Sequence, residues 1–194
     1  MRNIINSIYA KLYRLCQHYR YKQFGKNSNI IFPLAIDGIE NISIGNNVCI
    51  AYKTWLAAIP HTDKQTCNLI IGDGTCIGNF NHIYATESII IEKNVLTADK
   101  VYISDNLHSY EDINTPIMHQ PIKQISCVVI GEGSWIGENV SILGARIGKH
   151  CVIGSNSVVT KDIPDYSVAV GIPAKVIKYY SFDLKSWVFS SNIK

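Results

Sequence analysis

With 194 residues, 47% of them hydrophobic, the chain has core material for one domain. Its net charge of +3 is too small to argue for a nucleic-acid-binding surface, and no nucleic-acid partner is expected. Six cysteines (Cys16, Cys49, Cys67, Cys76, Cys127, Cys151) stand without a CxxC pair or a zinc spacing; no metal is expected, and reduced thiols in the cytoplasm fit this pattern.

Residues 1–25 read as an amphipathic helix. Ile5, Ile8, Leu12, Leu15 and Tyr19 follow helical spacing, while Lys11, Arg14, Gln17 and Arg20 lie mostly elsewhere. No signal peptide is evident, and no run is long enough to span a bilayer. Two roles stay open for this basic, tyrosine-rich helix. One is peripheral contact with the inner membrane face; the other is capping the first turn of the fold or packing on a neighbouring subunit.

Along most of the chain, within a domain expected to span residues 26–178, an aliphatic residue returns every six positions, often followed by glycine. The step runs Ile44-Gly45, Ile50, Leu56, then Ile71-Gly72, Ile77-Gly78, Ile83, Ile89, Val95, Val101. It resumes at Ile130-Gly131, Ile136-Gly137, Ile142, Ile147-Gly148, Ile153-Gly154 and Val159. Six is not a multiple of 3.6, so no helical face explains it; a fixed short period is the mark of a parallel β-helix. Each unit is a short strand and a turn, and three units close a triangular coil. The fold class is therefore an all-β solenoid with an N-terminal helix. Roughly five coils at about 4.8 Å each would give a prism about 25 Å tall. Gly72, Gly74, Gly131 and Gly133 are expected where turns need conformations closed to other residues.

The period breaks in three places. The step from Ile142 to Ile147 is one residue short, which implies a tightened corner. Residues 57–69 make a polar excursion, and residues 109–127 form a long insertion with two prolines. A long insertion in a repeat protein marks a functional loop. The tail, 179–194, is expected to pack along the prism or cap its last coil.

The repeats, together with IGNFNHI (77–83), ISDNLHSYED (103–112), VVIGEGSWIGENVSIL (128–143) and SNSVVTKDIPDYSVAVGIPAKVIKYY (155–180), resemble the hexapeptide-repeat acyltransferases. The resemblance covers about residues 40–180. It lies nearest the branch that O-acetylates sugars of surface polysaccharides, and the chain is similar to galactoside and maltose acetyltransferases. It implies a left-handed β-helix, a homotrimer, acetyl-CoA as co-substrate and a sugar or glycan acceptor, with direct transfer and no acyl-enzyme.

The resemblance also implies site residues. His108, at the start of the long loop, would be the general base, for which an imidazole of ordinary pKa is suited. It would take the hydroxyl proton and return it to the departing thiolate, which makes a nucleophilic Cys127 unnecessary. Asp105, Glu111, Asp112 or a backbone carbonyl would orient it, Asp105 ranking first; turn chemistry is the alternative for these carboxylates. Asn79 and His82 match an acceptor-lining stretch, and each also reads as a plain corner residue; His119, in the loop, is a further candidate. Trp135, outward in its repeat, would lie against CoA or a neighbouring subunit. The backbone N–H of Glu138 would serve the oxyanion. Ser155, Thr160, Lys161, Lys175 and Lys178 fall in the family's CoA-binding end. The active site would form between subunits.

Three other functions compete. An amino-sugar N-acetyltransferase differs only in the nucleophile. A non-catalytic scaffold would explain the repeats but not His108, Trp135 and the C-terminal signature together. A γ-class carbonic anhydrase shares the coil but needs a histidine pair five residues apart, which His18, His61, His82, His108, His119 and His150 do not provide.

Overall fold

The computed structural model describes residues 2–190; Met1 and the last four residues of the 179–194 tail lie outside the described residues. Helix α1 spans Arg2–Gln17 and runs into a 3-10 turn, His18–Arg20. The regular coil then begins at Gln23, inside the segment expected to be helical.

From there the chain visits three parallel walls in rotation. The first wall stacks Gln23–Phe24, Ile42–Ile44, Asn68–Ile71, Ser88–Ile91, Val128–Ile130 and Arg146–Ile147. The third also has six strands, from Ala35–Asp37 to Val158–Val159, and the second has nine. Each coil hydrogen-bonds to the one before it, so the molecule is a parallel β-solenoid of triangular section. It has six full coils, one more than the period indicates. The extra one is the first, where Phe24 stands in place of the usual aliphatic residue.

The six-residue step is a packing rule. Ile30, Ile50, Ile77, Ile136 and Ile153 stack inward on the second wall; Leu56, Ile83, Ile103, Ile142 and Val159 do so on the third, all essentially without solvent contact. Each such side chain contributes about 1.5–3 kcal/mol by leaving water. Small hydroxyls close the corners: Thr75 Oγ1 donates to Glu92 O at 2.8 Å and Ser134 Oγ to Gly148 O at 2.8 Å.

The corner glycines divide into two kinds. Gly74 and Gly133 do take the left-handed region, at φ +70° and +71°. Gly72 does not; a Cβ there would stand 2.6 Å from the backbone N of Lys93 in the next coil. The glycine behind the isoleucine thus marks close coil-to-coil approach, not a special dihedral angle. The short step after Ile142 is a corner tightened at Gly144, φ +55°, whose N–H donates to Ser104 O at 3.0 Å.

Both longer interruptions leave the prism at the corner between the third and first walls. The 109–127 insertion is not shapeless. Asn106–His108 pairs antiparallel with Ile122–Gln124, and a 3-10 turn at Ile117–His119 lies between them.

The two ends are closed differently. α1 is attached by its tyrosines: Tyr9 stacks on Phe32 at 3.8 Å, and the Tyr13 and Tyr21 hydroxyls share a 2.7 Å hydrogen bond. The aliphatic face that would be expected to cap the coil points away from it. At the other end, Lys175–Ser181 and Ser186–Phe189 form an antiparallel hairpin on Ser167–Val170, extending the second wall. That covers the open edge, and its first strand runs through the expected boundary at residue 178.

Candidate active site

His108 ends the strand that leads out of the third wall, opposite Ile122, with its side chain exposed. The hairpin that carries it is tied down by Gln124. Gln124 Nε2 donates to Asp105 O at 2.7 Å, and its Oε1 accepts from Thr86 Oγ1 at 2.8 Å and Thr62 Oγ1 at 3.1 Å. The insertion is thereby joined to the 57–69 excursion. Between them opens a cleft of about 580 Å³ lined by His61, Thr62, Ser109, Ile122 and Gln124.

The expected orienting carboxylate is elsewhere. Asp105 is fully buried and its two oxygens accept from the N–H groups of Thr86, Glu87 and Ser88, each at 2.8 Å, and from Thr86 Oγ1 at 2.9 Å. With these four bonds to the corner of the preceding coil and a fifth from Asn106 Nδ2 at 3.2 Å, its oxygens have nothing left for His108; it is a latch between coils. Glu111 is held by Lys123, which keeps its carboxyl down at about 2. Asp112 accepts from Thr115 Oγ1 at 2.7 Å and Asn114 N at 2.9 Å. None of the three candidates turns to His108.

Asn79 is likewise a corner residue. Its amide donates to both oxygens of Asp99, at 3.0 and 3.1 Å, and its Oδ1 accepts from Tyr52 N at 3.2 Å. Both ends of the side chain are engaged by neighbouring coils, the arrangement of the corner-residue reading. His82 differs. It lies flat on Trp55, ring centroids 4.2 Å apart at 4°, with Tyr84 and Tyr102 beside it. Its Nε2 is buried without a partner, and burial lowers its pKa, so the ring is neutral at pH 7. The partly exposed rings form an aromatic wall of a kind that suits a sugar face. Trp55 and the His61–Tyr84 pair, missed in the sequence, belong to this wall. His119 is exposed on the loop.

On the second wall the backbone register lines up Trp135 with Val152, Val152 with Val168, and Val168 with Lys178. Trp135 is 46% exposed on the outer face. A bulge in the pairing of Ser167–Val170 with Lys175–Ser181 keeps Lys175, opposite Val170, on the same outer face as Lys178. Indole and ammonium positions are three strand spacings apart, about 14 Å. Lys178 Nζ sits 4.5 Å above the Phe189 ring, so it is partly engaged already. Glu138 and Ser155 stack at the adjoining corner. The Glu138 carboxylate pairs with Lys100 at 2.9 Å. Two coils earlier the Asn79 N–H is taken by Asp99 at 2.7 Å; no hydrogen bond among the described residues takes the Glu138 N–H. Thr160 and Lys161 lie apart from this group, exposed at the corner beyond the third wall, on the edge that carries His108.

Cys127 is not poised as a nucleophile. Burial, with Glu87 and Asp105 nearby, raises its pKa. Burial pushes Cys67 up to about 12. Both are neutral thiols at pH 7.

A three-walled coil of this regularity, interrupted by a long loop that begins at an exposed histidine, has the architecture of a solenoid acyltransferase. Comparison with known proteins agrees. Residues 127–161 match the bacterial transferase hexapeptide (six repeats) family. The chain is 34% identical over 193 residues to WbbJ of Escherichia coli K12, named as a lipopolysaccharide biosynthesis O-acetyl transferase, covering 92% of this chain and 96% of that one. A Mycobacterium tuberculosis protein named as an acetyltransferase is 48% identical over 122 residues, 60% of this chain and 40% of its own. Among solved structures, a maltose O-acetyltransferase from Clostridium difficile 630 superposes with TM-score 0.53 at 29% identity, over 83% and 71% of the two chains. AntD of Bacillus cereus, an N-acyltransferase solved with dTDP and 3-hydroxybutyryl-CoA, shares the fold at TM-score 0.72 and 21% identity, over 88% and 89%. The chain belongs to the hexapeptide-repeat family of bacterial transferases, and it is an acetyltransferase.

Proposed function

We propose that the protein moves an acetyl group from acetyl-CoA to a hydroxyl of a surface-polysaccharide sugar or its precursor, directly, with His108 as general base. The observation that carries this reading is the match to WbbJ over almost the whole of both chains. Acetyl-CoA supplies the activated thioester. Trp135 offers an exposed flat surface for its arm, and Lys175 and Lys178, on the same outer face, offer cations for its phosphates. Lys161, Thr160 and Ser155 are assigned to the same ligand from the neighbouring corners. The unspent N–H of Glu138 donates to the carbonyl oxygen as that oxygen gains charge. His108 accepts the hydroxyl proton and delivers it to the leaving sulfur. His82, Trp55 and Tyr84 line the acceptor side.

The same reading makes the coil left-handed and the protein a homotrimer with its sites between chains. His108 stands at the corner beyond the third wall, whereas Trp135 and Glu138 stand on the second wall and the corner before the third. A neighbour's second wall brought against this chain's hairpin would unite them. The exposed Tyr110, Ile113, Ile117 and Met118 on the loop give that neighbour an apolar surface to cover. The reaction is placed in the cytoplasm, at or near the inner membrane face. No helix among the described residues is long and apolar enough to cross a membrane.

The test is product chemistry. Glycan fractions incubated with enzyme and acetyl-CoA should gain acetyl groups that mild alkali removes, because an ester is cleaved where an amide survives. Alkali-stable label would assign the protein to amino-sugar N-acetylation instead. No label on any glycan or amino-sugar acceptor would defeat both.

A further inference from the structure

We propose that α1 is a docking helix for an anionic lipid surface, a role independent of which sugar is acetylated. At 100° per residue, Ile4, Ile5, Ile8, Leu12 and Leu15 fall in one stripe about 100° wide. All five, and Tyr19 beyond them, are between 52% and 73% exposed. The opposite face is already occupied, since Tyr9 lies on Phe32 and Tyr13 is bonded to Tyr21. The helix is thus fixed to the solenoid with its aliphatic side outward. Such a stripe is costly in water and is what an interfacial helix buries among acyl chains.

Charge identifies the occupant. Residues 1–36 contain Arg2, Lys11, Arg14, Arg20, Lys22 and Lys26 and not one Asp or Glu. The rest of the chain has twelve basic against fifteen acidic residues. The small net charge of the whole protein therefore hides a strongly positive end and a slightly negative body. Lys11, exposed, borders the stripe, and Tyr19 prolongs it with a ring suited to the headgroup level. Two copies of α1 packed stripe to stripe would set like charges against each other. A membrane bearing anionic phospholipid supplies the missing negative charge. Seated there, the enzyme would hold its first coil toward the bilayer and meet lipid-linked glycans at the surface where they are made.

Cosedimentation with vesicles tests this. The whole protein is mixed with vesicles of phosphatidylethanolamine and phosphatidylglycerol, or of phosphatidylcholine alone, at low and high salt. Binding should be at least about tenfold tighter to the anionic vesicles, and should weaken as salt screens the charges. Ile8→Asp with Leu12→Asp should abolish it, and should leave the unfolding midpoint and oligomeric state unchanged because neither side chain is buried. Lys11→Glu with Arg14→Glu should remove the preference for anionic lipid, and decides the matter if the first variant does not fold. Failure of the wild type to sediment, or binding untouched by both double variants, would overturn the proposal. So would a drop to a smaller oligomer in the aspartate variant, which would assign the stripe to a second copy.

Discussion

Replacing His108 by alanine is expected to lower the rate of acetyl transfer roughly 10²–10⁴-fold, the range for loss of a positioned general base. The side chain is exposed at the end of a two-stranded hairpin, and the hairpin is held by Gln124, not by the imidazole. Its removal should therefore leave the unfolding midpoint and oligomeric state unchanged. Binding of acetyl-CoA should also be nearly unaltered, so the loss falls on kcat. Steady-state kinetics beside thermal unfolding of the same preparation checks this. Turnover within a few-fold of wild type would remove His108 from the mechanism, and Cys127 offers no substitute because its thiol is held in the neutral form.

Asp105→Ala should act in the opposite sense, on stability before catalysis. The buried carboxylate takes three backbone N–H groups from the corner at residues 86–88. Each N–H left buried and unpaired costs about 1–3 kcal/mol, so a loss of about 3 kcal/mol or more is expected. For a chain of this size that lowers the midpoint by about 6–12 °C or more. Asp105→Asn should also be destabilised, since it turns an acceptor into a donor facing donors. The pH-rate profile of whatever fraction stays folded should match wild type. A fully stable Asp105→Ala protein with a shifted pH-rate profile would return the carboxylate to a place beside His108.

Comparing these two residues shows what the sequence discloses. The Ile-Gly step is legible because a wall of identical strands demands the same inward side chain at each turn. Phe24-Gly25, Ile30 and Ile36 carry the same step, but the aromatic start disguised the first coil as the end of the helix. Asp105 and Asn79 were harder. A polar residue at a corner looks the same whether it faces a substrate or the next coil, and only its hydrogen-bond partners separate the two. Lys178 and Trp135 lie 43 positions apart in the numbering, and no spacing rule predicts a shared column that depends on a bulge. The free side of α1 was hidden for a related reason. Tyrosines and aliphatic residues both read as apolar, and the tyrosines won the contact with the solenoid.

Donor binding is read most directly by thermal unfolding of the protein with and without millimolar acetyl-CoA, repeated on Trp135→Ala. At about a hundred times its dissociation constant, a ligand adds roughly 2.7 kcal/mol of stability. A clear upward shift in the wild type, smaller or missing in Trp135→Ala, is the expected result. An unmoved midpoint in well-folded wild-type protein would contradict the assignment of acetyl-CoA as donor.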